Sequence, residues 1–387
     1  MSDKEPVDGH KAISCDRELL VKAVGTVYRA VSTRSTLPIL QGMLIETSDQ
    51  GLHLVGTDLE LSIETYIPCT SSGEFKMVLP ARYFTEIVRR LPKKEVIIDY
   101  NPEKRVAIIS SGRAIYEINS MDPREYPLFP EVPDTSWWKV PGIKFADFIK
   151  GTVFCAAMEE TRPFLTGVFM EFGKEGVKLV ATDSFRLALI NTSLTDGAPI
   201  ETNKGLLVSA RTLNEVARIV QSFDGEVGVY ASENQVAFKC EDTNVVSRLI
   251  EGQFPNYSRV IPEEYSTLAL IERETLLESV DRVSIMGKDE FGTMRLSIVD
   301  DVLTVSANAP EVGKAEDQIA IEKVSGPNGE IALKARYLMD VLKVLEDEKI
   351  SLKLTGTVSP VIIDQAGVES GEPKEFLYLI MPVTLNV

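Results

Sequence analysis

Histidine is almost missing from this 387-residue sequence: only His10 and His53 occur. His10 lies in a polar leader, and His53 alternates outward in the strand-like GLHLVG, neither with a nucleophile or second ligand nearby. Histidine-based triads, acid–base pairs and metal centres are therefore not expected. Cysteine is nearly as sparse. Cys15, Cys69, Cys155 and Cys240 lie far apart, with no CxxC or Cys/His spacing to suggest zinc or a disulfide framework. They sit in apolar runs such as VFCAA and FKC and read as buried thiols. Neither GxxxxGK[ST] nor GxGxxG occurs, so a phosphate-cradling loop is absent. No window is apolar for long enough to cross a bilayer. The N-terminal MSDKEPVDGHK is unlike a signal peptide and reads as a flexible leader. A cytoplasmic protein with no membrane partner, no metal and no cofactor is expected.

Net positive charge is also lacking. The formal charge is −17, which at first argues against nucleic acid, because phosphate contacts need Lys and Arg. Distribution decides more than the total, since an acidic protein can still carry one basic face.

What the chain does have is a repeat. With 387 residues, 44% hydrophobic and 26% charged, it can bury two or three cores. Four landmarks then recur in order. An amphipathic helix is expected in DRELLVKAVGTVYRAV, with Asp16 as N-cap and Leu19, Leu20, Ala23, Val24 and Val27 on one stripe. It recurs in KFADFIKGTVFCAA through Phe148, Ile149, Val153 and Ala156. ERETLLESVDRVSIM supplies the third copy through Leu276, Leu277, Val280 and Val283. Paired alternating strands follow, carrying Thr57-Asp58 and Thr182-Asp183; the third copy, MRLSIVDDVLTVSANAPE, lacks the Thr-Asp. A second helix begins at an Ala-Arg pair at 81–82, 210–211 and 335–336. Behind these pairs run the stripes Phe84/Ile87/Val88, Leu213/Val216/Ala217 and Leu338/Val341/Leu342. Final strands end at Tyr126-Pro127, Phe254-Pro255 and Met381-Pro382, spaced by 128 and 127 residues.

Each unit reads helix, strands, helix, strands. The fold class is α+β: three tandem copies of one domain with helices on one side of antiparallel sheets. Linkers fall at YPLFPEVPDTSWW and FPNYSRVIPEEYS, giving domains 1–135 (with the leader), 136–262 and 263–387. Trp137 and Trp138 at the first junction read as interdomain packing. Asp58 and Asp183 each follow a strand, as catalytic carboxylates can, but the third copy lacks the acid and turn capping accounts for both. A non-catalytic protein is expected.

The helices concentrate the basic residues: Lys22 and Arg29, then Arg82, Arg89 and Arg90, then Lys144, Lys150, Arg211 and Arg218, with Arg34 in the loop STRSTLP. Charge runs are commonly just solvated faces. In three quasi-symmetric copies, however, equivalent helices fall on one surface and their charges add. A ring with basic helices inside and acidic strands outside would reconcile −17 with DNA.

TLPIL, RPFLTGVFMEF, LVATDSFRLAL, FPNYSRVIP and the terminal YLIMPV together resemble the beta sliding clamps of bacterial DNA polymerase III, over essentially the whole chain after the leader. The resemblance implies a DNA-clamp domain in each repeat and a head-to-tail homodimeric ring around double-stranded DNA. Such a ring is a processivity factor that meets phosphates weakly and without sequence readout. It implies duplex contacts at Arg34, Arg82, Glu159, Pro163 and Phe164. It also implies a pocket for short apolar peptide motifs of the replicative polymerase, clamp loader and repair proteins. The pocket walls would be Leu165, Thr182, Phe185, Arg186, Leu187, Pro255, Arg259, Val260, Leu379, Met381, Pro382 and Val383, with Arg anchoring the partner. The subunit interface would set Tyr116 and Ile118 against Ile285 and Met286. Two positions depart from the family pattern: Ser184-Phe185 stand where many members have Gly-His, and Thr384 stands where the family has Arg. A repeat scaffold binding proteins but not DNA would share the pocket and lack the basic face.

Overall fold

Three Ala-Arg pairs begin three helices. In the computed structural model, which describes residues 11–132, 138–159, 161–173, 176–193, 205–221, 225–286, 292–367 and 375–383, the six helices are α1 (Arg17–Val27), α2 (Ala81–Arg90), α3 (Gly142–Val153), α4 (Ala210–Val220), α5 (Arg273–Ser284) and α6 (Ala335–Val344). Helices α2, α4 and α6 start at Ala81, Ala210 and Ala335. Asp16 caps α1 as expected, its carboxylate accepting from Glu18 N–H at 2.8 Å and Leu19 N–H at 3.1 Å.

The stripes are mostly those of the apolar pattern, with Ile87, Val153 and Leu277 only half-buried at their margins and two further departures. Leu20, Ala23, Val24 and Val27 are buried, but Leu19 is exposed. It falls one position off the stripe that the 3.6-residue period sends inward. In α3 the inward residues are Phe145, Ala146, Ile149 and Thr152, while Phe148 is only half-buried. Phe145 and Ile149 are four apart and share a face, which turns Phe148 toward the flank.

The chain forms two compact units, and they cut across the repeat. One comprises Met1–Ile143 and Arg218–Arg248; the other comprises Lys144–Ala217 and Leu249–Val387. The first holds a five-stranded sheet in the order Cys69–Ser71, Lys11–Asp16, Glu95–Asn101, Val106–Ser111, Ala114–Asn119. Its eight-stranded sheet contains the pairing of Leu61–Ile67 with Thr243–Arg248, Ile63 opposite Val245. Helix α1 closes on this unit at Gly56, where any β-carbon would lie 2.5 Å from the Val27 carbonyl.

The second unit holds a nine-stranded sheet in which Arg186–Ser193 pairs with Phe376–Ile380, Leu187 opposite Leu379. Its four-stranded sheet runs Gly313–Ala320, Val302–Ala309, Thr293–Val299, Gly329–Lys334. Among the described residues, neighbouring strands in these sheets pair antiparallel, as the alternation and Asp/Gly turns implied. Strands of the central repeat thus complete a sheet in each unit.

His53 corrects a second expectation. It does lie on the face opposite Leu52 and Leu54, but it is only 8% exposed. Glu46 and Tyr66 are its direct cross-strand neighbours. Nδ1 lies 2.9 Å from Glu46 and Nε2 2.8 Å from Glu64, while Tyr66 stacks on the ring at 4.3 Å. Two carboxylates and an aromatic close the polar face over it. Burial opposes the charged ring, but the hydrogen bonds to Glu46 and Glu64 outweigh it and raise the His53 pKa above 6.5. The hydrogen bond from His53, with help from Lys76, lowers Glu46 to about 2.

Trp138 is buried in a strand paired with Glu226–Ala231; Trp137, His10 and Thr384 lie outside the described residues.

Candidate functional site

In the second unit, side-chain hydrogen bonds close the turn joining Gly176–Thr182 to Arg186–Ser193. Asp183 Oδ1 accepts from the Phe185 and Arg186 amides at 2.9 Å each. Thr182 Oγ1 accepts from Ser184 N–H at 3.1 Å and donates to the Arg186 carbonyl at 2.7 Å. The first repeat builds the same turn: Asp58 accepts from the Glu60 and Leu61 amides, and Thr57 from Leu59 N–H. Both Asp residues are turn caps, as expected. The turns put Leu59 at φ +77° and Ser184 at φ +79°, a conformation that glycine adopts most easily.

The turn sends two neighbouring side chains in opposite directions. Phe185 is 54% exposed, whereas Arg186 is 8% exposed. The Arg186 guanidinium donates to Asp183 at 3.0 Å, Asp340 of α6 at 2.6 Å and the Phe154 carbonyl at 2.6 Å. It lies over the Tyr337 ring at 4.5 Å and the Phe154 ring at 5.4 Å. Arg186 had been expected to hold a partner. In this geometry each of its three nitrogens already donates inside the unit, and it fixes the turn that presents Phe185. Lys334 lies 5.5 Å from the Phe185 ring.

The C-terminal strand completes the site. Met381 N–H donates to the Phe185 carbonyl at 2.8 Å, and Val383 N–H to the Ala332 carbonyl at 2.8 Å. A hollow of about 210 Å³ is lined by Ala156, Met158, Arg162, Phe185, Arg186 and Arg336, among others. Beneath, Leu187 and Leu379 join Val180, Phe254, Tyr257 and Ile362 in one buried cluster, with Phe164 packed against it. Leu165 is also buried.

The expected pocket residues differ in exposure: Leu165, Leu187 and Leu379 are buried, Thr182 and Arg186 shape the turn, Phe185, Pro255, Arg259, Val260 and Met381 are exposed, and Pro382 and Val383 are half-buried. Phe154, Met158, Arg162, Lys334, Tyr337 and Asp340 were not foreseen. Asp340 carried one signal, its place one turn after the third Ala-Arg pair.

The other expected sites are more dispersed. Arg34 is exposed in the loop before the short helical turn Pro38–Gln41, and Arg82 is exposed in the first turn of α2. Arg90 and Arg89 pair with Glu86 instead of standing free. Glu159 and Pro163 are exposed. In the first unit, Ala114–Asn119 ends its sheet, with Tyr116 exposed and Ile118 buried. In the second, Gly313–Ala320 ends its sheet, beside α5 through Arg282 and Asp317 at 2.7 Å; Ile285 after α5 is exposed and Met286 half-buried. Among the described residues no group of His, Cys, Asp and Glu could hold a metal ion, and no helix is long and apolar enough to cross a membrane.

The family models for the DNA polymerase III beta subunit match three times: its N-terminal domain at residues 11–130, its central domain at 139–256 and its C-terminal domain at 258–384. The chain belongs to the DNA polymerase III beta-subunit family. It is 31% identical over 376 residues to the beta sliding clamp of Staphylococcus aureus (strain Mu50 / ATCC 700699), covering 95% of this chain and 97% of that protein. It is 32% identical over 377 residues to that of Bacillus subtilis (strain 168), covering 95% and 98%. A crystal structure of the DNA polymerase sliding clamp from Bacillus subtilis superposes with TM-score 0.90 at 31% identity, over 97% of this chain and 100% of that one. The sliding clamp from Bartonella birtlesii, solved bound to griselimycin, gives 0.89 at 28% identity over the same shares. The fold is thus three clamp domains of helices and antiparallel sheets. The chain is a sliding clamp, a processivity subunit of the polymerase and not its catalytic one.

Proposed function

We propose that the chain closes as a head-to-tail homodimeric ring around duplex DNA in the cytoplasm and tethers the replicative polymerase through the Phe185–Met381 site. The observation that carries the ring is that each compact unit ends one sheet in an open strand, Ala114–Asn119 in one and Gly313–Ala320 in the other. Such edges invite pairing, and a closed ring uses them up. Tyr116 and Ile118 on one side would meet Ile285 and Met286 on the other. Domains 1–135, 136–262 and 263–387 would be the three clamp modules of each copy.

Sliding requires weak, sequence-independent phosphate contact. Arg34 and Arg82 suit that work, being exposed on a chain of net charge −17. Pro163 and Phe164 would line the duplex path, and Glu159 beside them would repel phosphate and limit the grip. For partners, Phe185, Pro255, Arg259, Val260 and Met381, all exposed, with Pro382 and Val383, would offer a slot for a short extended apolar peptide. Leu165, Thr182, Arg186, Leu187 and Leu379 would hold that slot in shape. Clamp-loader and repair proteins would use the same slot.

Light scattering after size exclusion tests the ring. The expected mass is twice 42.8 kDa; a strict monomer at micromolar concentration would overturn the proposal.

A further inference from the structure

Cys15 and Cys69 lie 54 positions apart in sequence and directly opposite each other in the folded chain, paired across strands Lys11–Asp16 and Cys69–Ser71. The hydrogen-bond pattern defines the kind of pair. Further along the same ladder, Ser72 N–H donates to the Ala12 carbonyl at 2.9 Å, so Ala12 faces Ser72 in a hydrogen-bonded position. Antiparallel ladders alternate, which makes Cys15 and Cys69 a non-hydrogen-bonded pair. In such pairs the α-carbons are about 4.5 Å apart and the side chains share a face, within the roughly 4.4–6.8 Å span that a disulfide bridges. Cys155 and Cys240 are buried and have no such cysteine opposite them.

Access is asymmetric. Cys15 is buried and Cys69 half-buried, and both line an open cleft of about 480 Å³ together with Asp16, Leu19 and Lys94. Burial, with Cys69 and Asp16 nearby, pushes the Cys15 thiol up to about 12, and burial also raises Cys69. Both are therefore thiols at neutral pH, which makes oxidation slow and faster in alkali.

We propose that Cys15 and Cys69 are a reversible oxidation site for small hydroperoxides, with Cys69 reacting first and Cys15 resolving. Cys69 sulfur attacks the peroxide O–O bond, gains one oxygen as sulfenic acid and loses its proton, releasing one water from hydrogen peroxide. Cys15 sulfur then displaces the hydroxyl of that sulfenic acid, forming the S–S bond and releasing a second water. Two thiols lose two electrons and one peroxide is reduced to two waters. A dithiol reductant reverses the step by exchange. The bond would tie the three-residue edge strand Cys69–Ser71 to the strand whose last residue, Asp16, caps α1. It acts on the first compact unit alone.

The test treats the full-length protein with hydrogen peroxide at pH 7 and pH 9, followed by intact mass, thiol titration after denaturation and non-reducing peptide mapping. The expected product is lighter by about 2 Da, carries a Cys15–Cys69 linked peptide and returns to four thiols with dithiothreitol. It should form faster at pH 9, and amide exchange at Thr70 and Ser71 should slow. The Cys15→Ser variant should instead hold Cys69 as a sulfenic acid trapped by dimedone. Retention of all four thiols, a linked peptide from another pair, or sulfinic acid at Cys69 with Cys15 free in the wild-type protein would each overturn the proposal. Because those readouts use the wild-type chain, poor folding of the variant leaves the test intact.

Discussion

Arg186 and Asp340 are 2.6 Å apart, one at the start of the strand after the Asp183 turn and the other on α6. The pair joins sequence from the second repeat to sequence from the third within one compact unit. Asp340→Ala would leave a largely buried guanidinium with one carboxylate and one carbonyl. A loss of about 2–3 kcal/mol is expected, as for other buried pairs broken on one side. Urea denaturation measures it, and a wild-type midpoint would show that the pair contributes nothing.

Leu59 should be replaceable to advantage. Its φ of +77° costs an L-residue roughly 1–2 kcal/mol, and its side chain is 45% exposed. Leu59→Gly is expected to stabilise by about 0.5–1 kcal/mol after the added freedom of the unfolded chain is counted, whereas Leu59→Ala should not. Ser184→Gly should gain less, because the Ser184 hydroxyl accepts from Arg162 at 2.9 Å. Thermal melts of the three variants check the order.

The His53 cluster makes stability depend on pH in two directions. The folded pKa of His53 lies above 6.5, so its contribution is complete below about pH 6.5 and is lost as pH rises through the folded value. Glu46, lowered from 4.5 to about 2, contributes above pH 4.5 and loses that contribution as pH falls toward 2. The margin of wild type over His53→Gln should thus be widest between about pH 4.5 and 6.5 and shrink in alkali. Denaturation midpoints at pH 5.5, 7 and 8.5 measure this, and a constant margin would remove the imidazolium from the account.

Met381→Ala combined with Pro382→Ala should weaken binding of a short apolar polymerase peptide by roughly 10- to 100-fold, the worth of one or two buried anchors. The dimer should be unaffected. Calorimetric titration and light scattering on the same sample separate the two, and unchanged peptide affinity would sink the pocket assignment.

The features legible in the sequence are those with local causes. Asp16 caps the residues just after it, Thr57-Asp58 and Thr182-Asp183 close their own turns, and the Ala-Arg pairs open α2, α4 and α6. What was hidden depends on partners distant along the chain. Nothing near Val245 or Leu187 says that they will face Ile63 and Leu379, so the division of the central repeat between two units could not be read. The partners of outward-facing His53 were hidden because Glu46 and Tyr66 reach it only through cross-strand register. The same register brings Cys15 to Cys69. The Arg186 contacts are hidden for a related reason: its sequence neighbours reveal Asp183, but not Asp340.

Retention on DNA should be topological, the protein being held because a closed ring surrounds the duplex. The direct measurement loads it onto nicked circular duplex at moderate salt, removes free protein and then linearises half of the sample. Stable retention on circles and rapid loss from linear ends are expected, with loss also prevented by blocking both ends. Equal retention on open linear and circular DNA would contradict the account.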